Sequence, residues 1–202
     1  MKDQFKKSIL SNRSIQEYIY LSYLFLLLVG TLSYSIFYAF LDINIINYSN
    51  VLDILLSPIV ILTENIKTPL VMGGYIAIIL LVFSILRKRI KKSLQKDLSD
   101  EKRNKLTKSY NSFKNAMFVI PIAGTLGFYL GYAIAGGMKM SKRIQNGDFE
   151  VNRLLEFSNG DSKKVKLIGL NSQYIFYVLE NERKISISPI SGNLKTVQHI
   201  DQ

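Results

Sequence analysis

The chain has no cysteine and only one histidine among its 202 residues. The first absence excludes disulfides and thiolate metal sites and leaves the redox compartment unmarked. The second removes paired-histidine metal spacing. His199 stands close to the C-terminus beside Asp201, far from any serine in a nucleophile-elbow context, and reads as a solvated terminal side chain. Phosphate-cradling loops are missing as well, because the glycines gather in an apolar stretch with no Gly-Lys-Ser/Thr sequel. No catalytic residue, cofactor or metal site is expected, and no enzymatic activity.

Charge is missing from three long segments. Residues 18–41, 68–86 and 115–138 contain 24, 19 and 24 consecutive uncharged, mostly apolar positions. At ~1.5 Å per residue these runs reach roughly 28 to 36 Å, enough for a hydrocarbon core. Three transmembrane helices are therefore expected. They hold no Asp, Glu, His or Arg, which argues against an ion-coupled carrier. Their most polar groups, Thr31, Ser33, Ser35 and Thr125, are expected to bond between helices. The first run has a basic start but no small-residue cleavage site before Asp42, so a retained anchor is expected rather than a cleaved leader. Tyr18, Tyr20 and Tyr23 at one end, with Tyr34 and Tyr38 toward the other, suit interfacial belts.

What is abundant is positive charge, concentrated in one place. Residues 87–114 carry eleven Lys/Arg against three acids, a net +8 of the chain's +11. Short basic loops stay in the cytoplasm, so this loop is expected inside a plasma membrane of bacterial kind. Residues 1–17 then lie inside, 42–67 outside, and the segment 144–202 emerges outside after the third span. Lys139, Lys142 and Arg143, just after that span, fit this topology poorly. A re-entrant hairpin in the Gly-rich, Pro121-containing third run would return the tail to the cytoplasm.

The spacing of Ile90, Leu94 and Leu98, a helix start at Ser99-Asp100, and Leu106, Tyr110 and Phe113 predict a helical hairpin within 87–114. Arg87, Lys88, Arg89, Lys91 and Lys92 are expected to meet anionic lipid headgroups. Few aromatic or amide side chains interleave them, so nucleic acid is not an expected partner. In the outer loop, residues 51–64 read as a short helix kinked at Pro58 and lying in or dipping below the interface. Ser49 or Asn50 would cap it, and Val51, Leu55, Ile59 and Leu62 share one face.

Five glycines collect in the third run, and Gly127, Gly131 and Ala135 repeat every four residues. This small-residue stripe is expected to pack against the other spans or against a second copy of the chain. From about 148 the periodicity falls to two: FEVNRLLEF, KKVKLIGL, QYIFYVLE, RKISISPI and LKTVQHI are separated by turn compositions. A small all-β domain follows, either a five-stranded antiparallel meander or an SH3-like or Sm-like barrel. YIFYVL, apolar on both faces, would be its central strand.

A Gly/Ala-rich last span followed by a β domain looks like the small-conductance mechanosensitive channels. GTLGFYLGYAIAGG, NGDFEV and ISISPISGNL carry the likeness, within roughly residues 119–200. The resemblance implies an oligomeric pore. That family keeps its β domain in the cytoplasm and has an aromatic-rich stretch before it, and the present chain departs on both points. The residues themselves point first to a non-enzymatic, membrane-anchored module presenting its β domain to a protein partner, with a pore or membrane-perturbing oligomer as the alternative.

Overall fold

The computed structural model describes residues 15–63, 66–94 and 99–200. Three of its helices, α1 (Ile15–Ala39), α3 (Lys67–Leu94) and α4 (Asp100–Asn146), contain stretches long and apolar enough to cross a membrane. Only 17%, 6% and 11% of those stretches is buried within the chain, so most of their apolar surface is left uncovered by the chain itself, which is compatible with membrane insertion. Between α1 and α3 lie a short 3-10 turn (Ile45–Tyr48) and the helix α2 (Val51–Thr63). Five strands follow: β1 (Arg153–Phe157), β2 (Ser162–Leu170), β3 (Tyr174–Leu179), β4 (Ile185–Pro189) and β5 (Leu194–His199). The chain divides into two compact units. One is built from the segments up to Ile59 and from Leu130 onward, the other from Val60–Tyr129.

In the second unit, α3 extends to Leu94 and α4 begins at Asp100, where the Ser99 carbonyl accepts the Arg103 N–H at 3.0 Å. Ile90, Leu106, Tyr110 and Phe113 are half-buried, and the Phe83 and Phe113 ring centroids lie 4.8 Å apart with the rings tilted by 48°. Of the other residues of the expected hairpin stripe, Leu98 lies outside the described residues, as does the side chain of Leu94. Through the third apolar run α4 continues unbroken with Pro121 inside it, so no re-entrant hairpin forms. The Tyr75 hydroxyl donates to the Ile120 carbonyl at 3.1 Å, passing the spot where any side chain at Gly124 would stand.

In the first unit, α1 and α4 end alike. Asp42, in the left-handed region at φ 59°, donates to Ala39 while Ile43 N–H reaches back to the Tyr38 carbonyl at 3.0 Å. Gly147, at φ 71°, donates to Ile144 while Asp148 N–H reaches the Arg143 carbonyl at 2.9 Å. Both are Schellman closures, and the first has the apolar Tyr38–Ile43 contact that accompanies this motif.

Helix α2 is capped by Asn50, whose side chain accepts the Asp53 N–H at 2.8 Å while the Asp53 carboxylate accepts the Asn50 N–H at 3.0 Å. This reciprocal capping box settles the choice between Ser49 and Asn50. Pro58 deprives the Ile54 carbonyl of its usual donor, and the Ser57 hydroxyl replaces it at 2.8 Å. Val51 and Ile59 are exposed; the buried positions are instead Ser57, Pro58 and Ile61. Small side chains decide this, because α2 crosses α1 where a Cβ on Gly30 would stand 2.6 Å from Pro58 Cγ. Gly30 lies about 14 Å inside the end of α1, so α2 descends along α1 rather than away from it.

The strands form one antiparallel sheet in the order β4-β3-β2-β1-β5. The first four make a meander, and β5 returns to pair with β1. The middle strand is therefore β2, while β3 lies between β4 and β2. It is the most buried strand because both its faces are covered. Ile175 and Tyr177 join Leu155, Phe157 and Val165 in a core made by the sheet itself. Phe176 and Val178 face the other way, into Tyr38, Leu41, Ile43, Ile45 and Ile144.

Candidate functional site

A seam joins the sheet to the ends of the helices. Its apolar part is aromatic: the Phe176 ring lies 5.1 Å from Tyr38 and 5.9 Å from Tyr48, and Tyr48 meets Tyr174 edge-on at 5.3 Å. Tyr38 is 2% exposed and Tyr34 packs beside it, so these two are core residues rather than an interfacial belt. Tyr18, Tyr20 and Tyr23 are exposed at the other end of α1. The Tyr38 hydroxyl occupies the space a side chain at Gly169 would need, beside the irregularity that shifts β2 between Leu167 and Gly169.

The polar part of the seam converges on Asp53. Its carboxylate accepts the Ser172 N–H at 3.1 Å and the Ser172 hydroxyl at 2.9 Å, while Asn50 donates to the same hydroxyl oxygen at 2.7 Å. Asn171 donates to the Tyr48 carbonyl at 2.8 Å and accepts the N–H groups of Gln173 and Tyr174. The β2–β3 turn is thus tied at several points to the start of α2. These residues were not legible as a site. Asn50-x-x-Asp53 has a capping-box pattern, but nothing local reveals the partner at Ser172.

The sheet's edges are β4 and β5. Across β1 and β5, Glu156 accepts Lys195 Nζ at 2.8 Å and the Thr196 hydroxyl at 3.1 Å. These hydrogen bonds, Lys195 first, hold the Glu156 carboxyl below its ordinary value, and Glu156 in turn raises the Lys195 ammonium. Val197, further along β5, is 42% exposed. His199 closes that strand opposite Arg153 and is exposed, so the structure places it on the sheet edge rather than in a cleft.

Gly127, Gly131 and Ala135 lie on one exposed stripe of α4, and a Cβ on either glycine would meet nothing within 4 Å. Intramolecular packing uses the neighbouring stripe, where Tyr129, Ala133 and Gly137 are buried. At Gly137 a Cβ would stand 2.9 Å from both the Phe37 carbonyl oxygen and Phe40 Cδ2. Arg87, Lys88, Arg89 and Lys92 are exposed along the end of α3; the side chain of Lys91 lies outside those described. Within the spans, the Thr31 hydroxyl bonds back to the Leu27 carbonyl of its own helix at 2.8 Å, and the buried Ser33 hydroxyl bonds to nothing among the described residues. The expected bonds between helices are therefore not made by these two.

Comparison with family models, curated proteins and solved structures gave no match to this chain.

Proposed function

We propose that the chain is a non-enzymatic membrane-anchored interaction module that presents its β domain to a protein partner. The observation that carries this reading is the seam. The sheet is fastened to the helix ends through Asp53, Ser172, Asn171 and Phe176, while β5 is left at an edge with Val197 partly exposed. A fixed sheet with an open edge is suited to accept a partner strand.

An extracytoplasmic sheet is supported by charge: the basic segment 87–114 is suited to the inner side of a plasma membrane, and the sheet packs against residues 38–53, at and after the end of the first span. A reporter fused after Gln202 should be active only outside the cytoplasm. A photo-crosslinking residue at Val197 should capture one protein of discrete mass in intact cells, and a parallel substitution at exposed Lys102 should not. Adducts at neither position, or the same adducts at both, would remove this reading.

A second reading, an oligomeric pore, is favoured by the exposed stripe of Gly127, Gly131 and Ala135, which leaves α4 open to close approach by another helix. Gly131→Leu should then abolish both the oligomer and conductance; wild-type conductance in that variant rules the pore out.

A further inference from the structure

Helix α2 is built inside out. Its polar side chain Ser57 is buried with Pro58 and Ile61, whereas Leu52, Leu56, Ile59 and Val60 are 64%, 50%, 52% and 47% exposed. At ~100° per residue the two sets fall on opposite faces of the helix. A helix facing water shows the reverse order, and one lying flat in the headgroup region keeps a charged face toward water. The sole charged residue of α2 is Asp53, and it is engaged in the cap.

Helix α1 has the same order where α2 crosses it. Gly30 and Ser33 are buried there, while Leu28 and Leu32 are exposed. The crossing at Gly30 and Pro58 lies about 14 Å inside the end of α1, and the Leu55 carbonyl accepts the Tyr23 hydroxyl at 3.4 Å beside it. Small and polar groups inward with leucines outward is the order that lipid selects, because lipid tails match leucine and leave close helix approach to small residues. Lipid also penalises unpaired backbone groups. The Ile54 carbonyl, which Pro58 strips of its usual donor, accepts the Ser57 hydroxyl, and the Thr63 hydroxyl donates to the Val60 carbonyl at 3.4 Å near the end of the helix.

We infer that α2 is embedded in the leaflet on the sheet's side, with Leu56, Ile59 and Val60 covered by lipid acyl chains. Its 13 residues reach about 20 Å, too short for a hydrocarbon core of about 30 Å, so it enters one leaflet without crossing. The cap of α2 is clasped to Ser172 through Asp53, and the lipid contact therefore seats the sheet at the membrane surface by a route separate from the spans. That contact is independent of whether β5 takes a partner strand.

The chain has no cysteine, so single-cysteine variants need no background substitution. Leu56→Cys, Ile59→Cys and Val60→Cys are made in the full chain, spin-labelled and reconstituted in vesicles of phosphatidylcholine and phosphatidylglycerol. Leu28→Cys on the exposed side of α1 serves as the lipid reference, and Asn159→Cys in the exposed β1–β2 turn as the water reference. Labels on α2 should relax more with oxygen than with a water-soluble nickel chelate, as at Leu28 and opposite to Asn159. Preferential access to nickel places the face in water and overturns the assignment. Low access to both places protein over it, a second copy included, and overturns it equally. A measurement on the unsubstituted chain does not depend on the variants: a phosphatidylcholine carrying a diazirine in its acyl chain should leave adducts on α2 as well as on α1, and an α2 without adducts overturns the assignment.

Discussion

The Asp53 carboxylate grips Ser172 twice, through the backbone N–H at 3.1 Å and the hydroxyl at 2.9 Å, across 119 residues of sequence. The same carboxylate completes the cap of α2, so one side chain both starts a helix and holds the sheet to it. Asp53→Ala should cost about 1–3 kcal/mol, the sum of a lost cap and lost charge-assisted hydrogen bonds. Thermal unfolding in detergent measures it. Ser172→Ala should cost less, because it leaves the cap and the backbone bond in place.

Gly169 and Tyr38 form a second coupled pair. Gly169→Ala puts a methyl group where the Tyr38 hydroxyl stands and should destabilise by roughly 1–3 kcal/mol. Tyr38→Phe removes that hydroxyl, so the double variant should recover part of the loss. A thermodynamic cycle returning purely additive effects would show that the two do not touch.

The glycines of α4 should separate into two classes. Gly137→Leu drives a side chain into Phe40 and the Phe37 carbonyl and should cost roughly 1–3 kcal/mol or more. Gly131→Leu meets open space and should change monomer stability little, within about 0.5 kcal/mol. Melting temperatures of the two variants, measured side by side, check the contrast.

Strand β5 should loosen in acid. The Glu156 pKa is lower in the folded chain than in the unfolded chain, so its contribution is present above the ordinary carboxylate value of about 4.3 and is lost as pH falls through the folded value. Lys195 has the opposite sign: its raised pKa means its contribution is lost only as pH rises through the folded ammonium value, in the alkaline range. The protection factors of the β5 amides, that is, exchange corrected for its intrinsic pH dependence, should therefore fall in acid, and Glu156→Gln should flatten that dependence.

The apolar runs and the change to period two were readable because they are local patterns, and they delivered three long apolar helices and a five-stranded sheet. What escaped is of two kinds. Tyr38 looks like a belt residue because its own helix is apolar all round, and only the distant Phe176 makes it core. The stripe at Gly127 and Gly131 draws notice by its spacing, yet the packed glycines of α4 are Gly124, against Tyr75, and Gly137, against Phe37 and Phe40. In a membrane helix an apolar residue suits lipid and protein equally, so composition cannot tell the two apart. The same ambiguity hid the buried face of α2. At the seam, Asn171 and Ser172 carry turn composition, and the partners they find at Tyr48 and Asp53 are set by tertiary contact.

The two-sided burial of β3 also has a consequence for biogenesis. The helix-facing side of the sheet, with Phe176 and Val178, is completed largely by residues translated much earlier, Tyr38 through Ile45. At a synthesis rate of roughly 5–20 residues per second, Asp53 waits roughly 6 to 24 seconds for Ser172 to emerge. During that interval the aromatic end of the first helix stands uncovered, and a β segment made by itself would expose Phe176 to water. Assembly of the seam therefore waits on the last strands, long after the first helix has been made.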